Sequence, residues 1–308
     1  MTAWMAFLLA LPLTRTVSWP GVQNAFPNEY QEVLTLLGKT GDFRDSVLKV
    51  NIPRTDLAVT IGGREAPTPF GFGGWVAFTK GTGGSEVMMG DLVLTEDEVN
   101  PVMSAILSNG LEVTALHNHF FHEEPRVFYM HVHGRGAAME LARKLAPAVG
   151  LIDEAARKRG APSRAASAGR GKLDAEGLAR IVGHSGEMNG PVYKITVGRP
   201  DIELLDHGAR INSRMGLNTW AAFFGSDDDA MVAGDVAMLE HEVTPVLAAL
   251  RERGLDIVAI HHHMTGTSPV VIFLHYYGTG RAEVLAQAVK AAIDLLGKPA
   301  PPEHRLNH

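Results

Sequence analysis

Histidines cluster in two short stretches of the 308-residue sequence. Residues 117–134 read HNHFFHEEPRVFYMHVHG, and residues 261–278 read HHHMTGTSPVVIFLHYYG. Histidines two residues apart on a strand point their side chains to the same face. Neutral histidine is the commonest protein ligand for transition metals. The spacing therefore predicts a metal site, and the candidate ligands are His117, His119, His131, His133, His261, His263 and His275.

The loop after the first histidine pair adds two carboxylates. Glu123 lies four residues after His119, close enough to serve as a third ligand or as a general base beside a metal-bound water. We therefore predict Glu123 and Glu124 as catalytic residues and a divalent transition metal such as zinc as the cofactor. The second copy reads GTS at 266–268, so the first copy is expected to carry the functional site. The alternative is structural: the histidines would bond the hairpin ends or line the interface between the copies.

The sequence leaves open whether the two stretches form one site or two. If strands 111–119 and 126–134 pair as a direct hairpin, His131 lies about 16 Å from His119, at roughly 3.3 Å per residue. The two histidine pairs of one copy are then expected not to share an ion. A pair from one copy could instead meet groups from the other copy.

The chain is a tandem duplication, which determines the predicted fold. A shift of 144 residues aligns 90–119 with 234–263, and thirteen of these thirty positions are identical. Each copy shows the order β-β-β-β-α-β-β-α, which predicts an α+β fold with an antiparallel-rich sheet and helices on one face. We expect a pseudo-twofold axis between the copies. The predicted boundaries are a first repeat at 28–150, a linker at 151–173, a second repeat at 174–297 and a Pro-rich tail at 298–308.

Two pairs of acidic residues recur in the duplication, Asp91 with Asp235 and Glu98 with Glu242. The segment Thr95-x-x-Glu98 has the spacing of a helix capping box. In the second copy a leucine replaces the threonine, which weakens that cap. We favour structural roles for both pairs over catalytic ones.

Composition and missing motifs exclude several classes of protein. The net charge of −6, without a basic stripe, argues against nucleic acid as a partner. The sequence has no P-loop, no GxGxxG after a strand and no nucleophile elbow, which argues against nucleotide hydrolysis and hydride transfer. It has no cysteine, which removes disulfides, thiolate ligands and a lipid-anchored N-terminus.

The N-terminus carries an apolar run at residues 3–13. The run is too short to span a bilayer but has the length of a signal-peptide core. We predict a signal peptide within residues 1–24 and a periplasmic or secreted mature protein that does not insert into the membrane. A buried N-terminal helix is the alternative.

The stretch GDLVLTEDEVNPVMSAILSNGLEVTALHNHFFHEEPRVFYMHVHG resembles the LppY/LpqO family of bacterial secreted and lipoprotein-type proteins, a domain of unknown function. VNPV, ALHNH, EEPR and MHVHG carry the resemblance. It covers most of the chain, because that family is also a tandem duplication with a histidine-bearing hairpin in each half. The resemblance implies a bacterial, exported protein without an established reaction. This chain departs from it by lacking a lipoprotein cysteine and by carrying His262 and GTSP in the second copy.

Two functions agree with these features. The first is an exported metal-dependent hydrolase or lyase that acts on a carbohydrate or cell-envelope compound, with a small molecule or glycan as the ligand. The second is a non-enzymatic periplasmic protein that binds a ligand or a metal between its two halves. An open coordination position beside a carboxylate would favour the enzyme.

Overall fold

The computed structural model describes residues 26–160 and 171–299, so the predicted signal peptide and nearly all of the predicted tail lie outside the described residues. The first repeat consists of α1 (Asn28–Leu37), β1 (Thr40–Arg44), β2 (Val47–Pro53), β3 (Val59–Ile61), β4 (Arg64–Ala66), β5 (Gly73–Lys80), β6 (Glu86–Thr95), α2 (Glu96–Ser108), β7 (Glu112–His117), β8 (Glu123–Glu124), β9 (Val127–Gly136) and α3 (Ala138–Arg159). The second consists of α4 (Ala175–Val182), β10 (Gly186–Asn189), β11 (Val192–Gly198), β12 (Leu205–Asp206), β13 (Ala209–Arg210), β14 (Asn218–Gly225), β15 (Ala230–Leu239), α5 (Glu240–Glu252), β16 (Asp256–His261), β17 (Val271–Gly280) and α6 (Ala282–Ile293).

Each repeat is built on one six-stranded antiparallel sheet. The strand order is β1-β2-β5-β6-β9-β7 in the first repeat and β10-β11-β14-β15-β17-β16 in the second. The equivalent strands occupy the same places, and the short strands form two small sheets beside them. The predicted α+β duplication with antiparallel sheets is therefore confirmed.

One face of each sheet packs against helices. In the first repeat Leu48 of β2, Met88 of β6 and Met130 of β9 lie in one buried cluster. The same cluster contains Val102 of α2 and Leu141 of α3. The second repeat has the equivalent cluster between its sheet and α4, α5 and α6. Burial of alternate apolar residues is expected where a sheet covers a helical layer.

The other faces of the two sheets pack against each other. One cluster joins Val47 and Met89 of the first repeat to Phe273 of the second. A separate cluster joins Tyr129 to Phe224. The protein therefore has four layers in the order helix, sheet, sheet, helix, and apolar burial holds the two repeats together.

A buried ion network occurs in both copies and gives the two repeat-equivalent glutamates, Glu98 and Glu242, a structural role. Glu98 Oε2 accepts hydrogen bonds from Thr95 N at 2.8 Å and from Arg54 Nη1 at 2.6 Å. In the second copy Glu242 Oε2 accepts from Leu239 N at 2.7 Å and from Arg199 Nη1 at 2.9 Å. The predicted role of Glu98 at a helix start is confirmed, and the glutamate half of the cap persists where leucine replaces threonine.

The closing helix of the first repeat is longer than the sequence indicated. Helix α3 continues through residues 151–159, which we expected in the linker, because Ile152 extends the buried face of the helix onto the core. Arg159 at its end contacts the buried network through Glu98, at 3.3 Å. No helix in the described ranges is long and apolar enough to cross a membrane.

Candidate functional site

A row of chemically active side chains crosses each sheet on the face that meets the other repeat. In the first sheet Asp91 lies opposite Trp75 on one neighbouring strand and opposite His131 on the other. In the second sheet Asp235 lies opposite Trp220 and His275 in the same way. Residues directly opposite each other in a sheet share a face. The duplication therefore places two copies of one row face to face.

Six histidines from the two rows and the strands beside them form a single cluster. His117 stacks on His261 with ring centroids 3.8 Å apart. His119 lies 3.6 Å from His275, and the equivalent pair in the other direction, His263 with His131, lies 4.2 Å apart. Each of these contacts joins one repeat to the other. The two histidine stretches therefore build one centre on the pseudo-twofold axis, and both copies contribute three histidines to it.

We expected the two histidine pairs of one copy to lie too far apart to share an ion. This expectation is wrong for His117 and His131, whose ring centroids lie 5.0 Å apart. The register pairs Ala115 with His131 and His117 with Tyr129. His117 is thus a diagonal neighbour of His131 across the two strands, a distance that side chains bridge. The expected 16 Å was measured from His119, which lies farther along the hairpin.

The cluster contains three groups of residues that could hold a metal ion, and the ligand atoms within each group lie within 4.8 Å of one another. The group of His117, His119 and His275 shares no residue with the group of Asp235, His261 and His263, so the centre has donors for two ions. The groups are His117, His119 and His275; His117, His131 and His261; and Asp235, His261 and His263.

The ring nitrogens of the cluster are neutral and largely without partners. Burial is the main cause that lowers the pKa of all six histidines. The pKa falls to about 3 for His263, to well below the ordinary value for His117, His119, His131 and His261, and below that value for His275. Neutral imidazole is the form that binds a metal. Each buried polar group without a partner costs about 1–3 kcal/mol, so such a concentration needs a cause. Within residues 26–160 and 171–299, nine buried ring nitrogens of the cluster have no hydrogen-bond partner: both of His117, His119 and His261, and one each of His131, His263 and His275.

His133, which we predicted as a ligand, lies outside all three groups. Its Nε2 is 2.6 Å from Asp206 Oδ2 of the second repeat, and its Nδ1 is 3.4 Å from Glu112 Oε2. This histidine therefore links the repeats, and its counterpart in the second copy is Tyr277. The H-x-H spacing correctly placed His131 and His133 on one face but did not show that the second repeat supplies an aspartate to one of them.

The structure does not bring the two predicted catalytic glutamates to the histidines. Strand β8 pairs with β3, with Glu123 opposite Ile61. The buried Glu123 carboxylate accepts long hydrogen bonds of 3.4 Å from Asn118 Nδ2 and Val127 N, and Glu124 is exposed. Neither residue belongs to a group of candidate ligands. Pairing with β3, which the sequence did not indicate, turns this loop away from the centre.

The carboxyl groups beside the histidines belong to Asp91 and Asp235, for which we had favoured structural roles. Asp235 Oδ2 lies 3.5 Å from His263 Nε2, and its Oδ1 accepts a hydrogen bond from Leu274 N. Burial raises the pKa of Asp235 to about 6 and, together with the charge of Asp235, raises that of Asp91 to about 8. The signal that could have identified these residues was the Gly-Asp step repeated at 90–91 and 234–235.

A cleft of about 1410 Å³ adjoins the histidine centre. His119, His263 and His275 line it together with both aspartates of the rows. Two repeat-equivalent lysines also line it: Lys49 Nζ lies 4.3 Å from the ring centroid of Trp75, and Lys194 Nζ lies 4.2 Å from that of Trp220. Burial is the first cause that lowers the pKa of each lysine to about 8. The sequence reasoning did not identify Lys49, Lys194, Trp75 or Trp220 as site residues.

The fold and the site define a duplicated four-layer α+β protein with a shared histidine centre. A family model described as "Domain of Unknown Function (DUF1259)" matches residues 31–150 and again 176–295. The chain therefore belongs to this family, as a tandem of two copies. The predicted resemblance is confirmed to the extent of a duplicated domain of unknown function, and the LppY/LpqO name stays a prediction.

Comparison with other proteins adds no function. No curated protein matches the sequence. Among solved structures, a trimeric bacterial microcompartment shell protein, PduB, is 11% identical, with 82% of this chain and 89% of that chain covered and a TM-score of 0.21. EtuB from Clostridium kluyveri is 8% identical, with 83% and 89% covered and a TM-score of 0.20. TM-scores this low support no conclusion about the function of this chain.

Proposed function

We propose that this protein is a metal-dependent enzyme that holds a divalent transition metal at the histidine centre and a substrate in the adjoining cleft. In its finer form the proposal is an exported hydrolase or lyase that acts on a carbohydrate or cell-envelope compound. The observation that carries it is the concentration of nine buried ring nitrogens on six histidines, none of which has a hydrogen-bond partner among the described residues. Export rests on the apolar run at residues 3–13.

The donor set fits a borderline metal such as zinc, which binds imidazole and carboxylate. Such an ion would polarise a substrate oxygen or lower the pKa of a water molecule. The chain's own residues supply the rest. His119, His263 and His275 reach the cleft, so a ligand there would meet the centre directly. Asp91 also lines the cleft, and its buried Oδ1 has no hydrogen-bond partner among the described residues, which suits a group that holds or transfers a proton.

The cleft supports an enzyme over a metal store. A structural or storage site is closed by protein ligands, whereas a catalytic site keeps a coordination position for water or substrate. Here three of the six histidines line an open space. The second candidate is a non-enzymatic ligand- or metal-binding protein, and it is favoured by the position of Glu123, which the fold keeps away from the histidines.

Metal analysis of protein purified without a histidine tag tests the proposal. We expect at least one equivalent of transition metal per chain, or binding of added zinc after treatment with a chelator. His117→Ala should reduce the metal content because His117 belongs to two of the three ligand groups. The matched control is His184→Ala, at an exposed position outside those groups. Metal below about 0.1 equivalent in the wild type, without binding on titration, would contradict both the enzyme and the metal-binding alternative.

Activity separates the two candidates once metal binding is established. The enzyme requires turnover of a carbohydrate or cell-envelope substrate by the metal-loaded protein and its loss in Asp91→Asn. A protein that binds metal and ligand tightly, yet leaves a broad set of such substrates unchanged, would be the non-enzymatic binder.

A further inference from the structure

The cleft contains two cations that no carboxylate neutralises directly. Lys49 and Lys194 are repeat-equivalent and half-buried, and both line the cleft. Within residues 26–160 and 171–299, neither ammonium group forms an ion pair or a hydrogen bond, and their close contacts are the indole rings of Trp75 and Trp220. Lysines are rarely buried without a partner, so their two charges are available to a ligand.

The indole rings fix the ammonium groups without cancelling their charge. Each lysine lies diagonal to its tryptophan across two paired strands, since Lys49 pairs with Ala77 and Asn51 with Trp75. A cation held over an aromatic ring keeps its full positive charge. Both lysines are therefore preorganised to bind an anion, which reduces the entropy lost on binding.

The positive charges act on one another across the cleft. After burial, the charges of Lys194 and Arg214 are the next causes that lower the pKa of Lys49. Arg214 itself contacts Asp42, whereas neither lysine forms an ion pair within the described residues. Asp91 and Asp235 line the same cleft and offset part of the lysine charge from a distance. An anionic ligand would relieve this repulsion, whereas a neutral ligand would leave it in place.

The remaining lining fits a hydroxylated ligand longer than a monosaccharide. Asn51 and Thr196 lie opposite the two tryptophans, so each indole ring has a polar side chain beside it. Sugar rings present C–H groups that pack on aromatic faces and hydroxyl groups that need hydrogen-bond partners. The volume of about 1410 Å³ exceeds the roughly 300–1,000 Å³ that is usual for small-ligand pockets.

We propose that the cleft binds an anionic oligosaccharide, whose carboxylate or phosphate groups pair with Lys49 and Lys194 while its sugar rings lie against Trp75 and Trp220. This inference rests on the proposed function in one respect, because it names the substrate class of the site beside the histidine centre. The two lysines, one from each repeat, match a ligand that carries more than one negative group.

Calorimetric titration of the full chain tests the proposal, with chelator-treated and zinc-loaded protein measured side by side. The probes are trigalacturonate, its neutral methyl ester, maltotriose and a sugar phosphate. We expect trigalacturonate or the sugar phosphate to bind and the two neutral compounds to bind at least tenfold more weakly. Preference for trigalacturonate identifies a carboxylate as the anionic group, and preference for the sugar phosphate identifies a phosphate. Equal binding of the ester, or no binding of either anion, would overturn the proposal.

Lysine variants assign the binding to the cleft. A charge-assisted hydrogen bond accounts for about 10- to 100-fold in affinity, so Lys49→Gln and Lys194→Gln should each weaken anion binding by that factor. Lys158→Gln, an exposed control on α3, should leave binding unchanged. Unchanged affinity in the double variant K49Q/K194Q, with its melting temperature retained, would refute the assignment. Zinc binding without anion binding would refute this inference alone, and lysine-dependent anion binding by a protein that holds no metal would refute only the metal-dependent function.

Discussion

Replacing His261 by phenylalanine should stabilise the metal-free protein. His261 is 8% exposed, and neither of its ring nitrogens has a hydrogen-bond partner in the part of the chain that the structure describes. Phenylalanine keeps a planar ring at this position and removes both unpartnered polar atoms. Since leaving such an atom buried costs about 1–3 kcal/mol, His261→Phe should raise the free energy of unfolding at pH 7 by an amount of this order.

The advantage of the phenylalanine variant should grow as the pH falls. Burial, followed by the charges of neighbouring histidines, lowers the pKa of folded His261 far below the unfolded value of 6.5. Above pH 6.5 the ring is neutral in both the folded and the unfolded chain, and protonation does not affect the free energy of unfolding. Below pH 6.5 only the unfolded chain binds the proton, so the free energy of unfolding falls by about 1.4 kcal/mol per pH unit. Between pH 6.5 and pH 5 the wild type loses about 2 kcal/mol that the variant does not lose.

Urea unfolding of chelator-treated protein at pH 5, 6 and 7 measures both effects. The exposed His184→Phe serves as the control and should follow the wild type. Zinc should reverse the order at pH 7, because the wild type retains the two ligand groups that contain His261. Equal pH slopes for His261→Phe and the wild type would refute the reasoning, since His261 would then titrate alike in the folded and unfolded chains.

Three further results are expected. Glu98→Ala removes one of the two carboxylate partners of the buried Arg54, which keeps Asp56, and should lower the free energy of unfolding by about 1–3 kcal/mol in urea, whereas Glu96→Ala, an exposed change in the same helical turn, should change it by less than about 0.5 kcal/mol. Zinc titration should reach two equivalents, and Asp235→Asn should weaken one of them, because two ligand groups share no residue; a single equivalent in the wild type would contradict this. N-terminal sequencing from the native host should place the mature start within about residues 18–24, and an intact Met1 in a cytoplasmic fraction would contradict export.

The sequence predicted the fold well because each copy checked the other. The same order of strands and helices was identified in both copies, and both copies contain an equivalent six-stranded sheet. Period-two alternation gives the two faces of a strand but does not say what covers each face. The sequence therefore did not predict that the two sheets pack on each other. For the same reason it did not predict the contact of His119 with His275, which depends on that packing.

The site was predicted in part for the same reason. The candidate ligands were chosen by residue type, as histidines on the paired strands. Six of these seven histidines lie in the centre. Glu123 was chosen by its closeness to His119 in the chain, but strand pairing with β3 determines where its carboxylate lies. Asp91 and Lys49 come from strands far apart in the sequence, and only the sheet register brings them to one cleft.

The reciprocal contacts on the axis also bear on how this centre arose and how a ligand enters it. His119 on His275 and His263 on His131 are the same contact made twice, so a single repeat would build the same six-histidine centre as a symmetric dimer of two identical chains. Fusion allows the halves to diverge independently. The bond between His133 and Asp206 already occurs in one direction only, since Tyr277 occupies the equivalent of His133. The cleft reflects this divergence, since His275 lines it and its counterpart His131 does not, so a chain-like ligand with unlike ends would have one preferred direction in it.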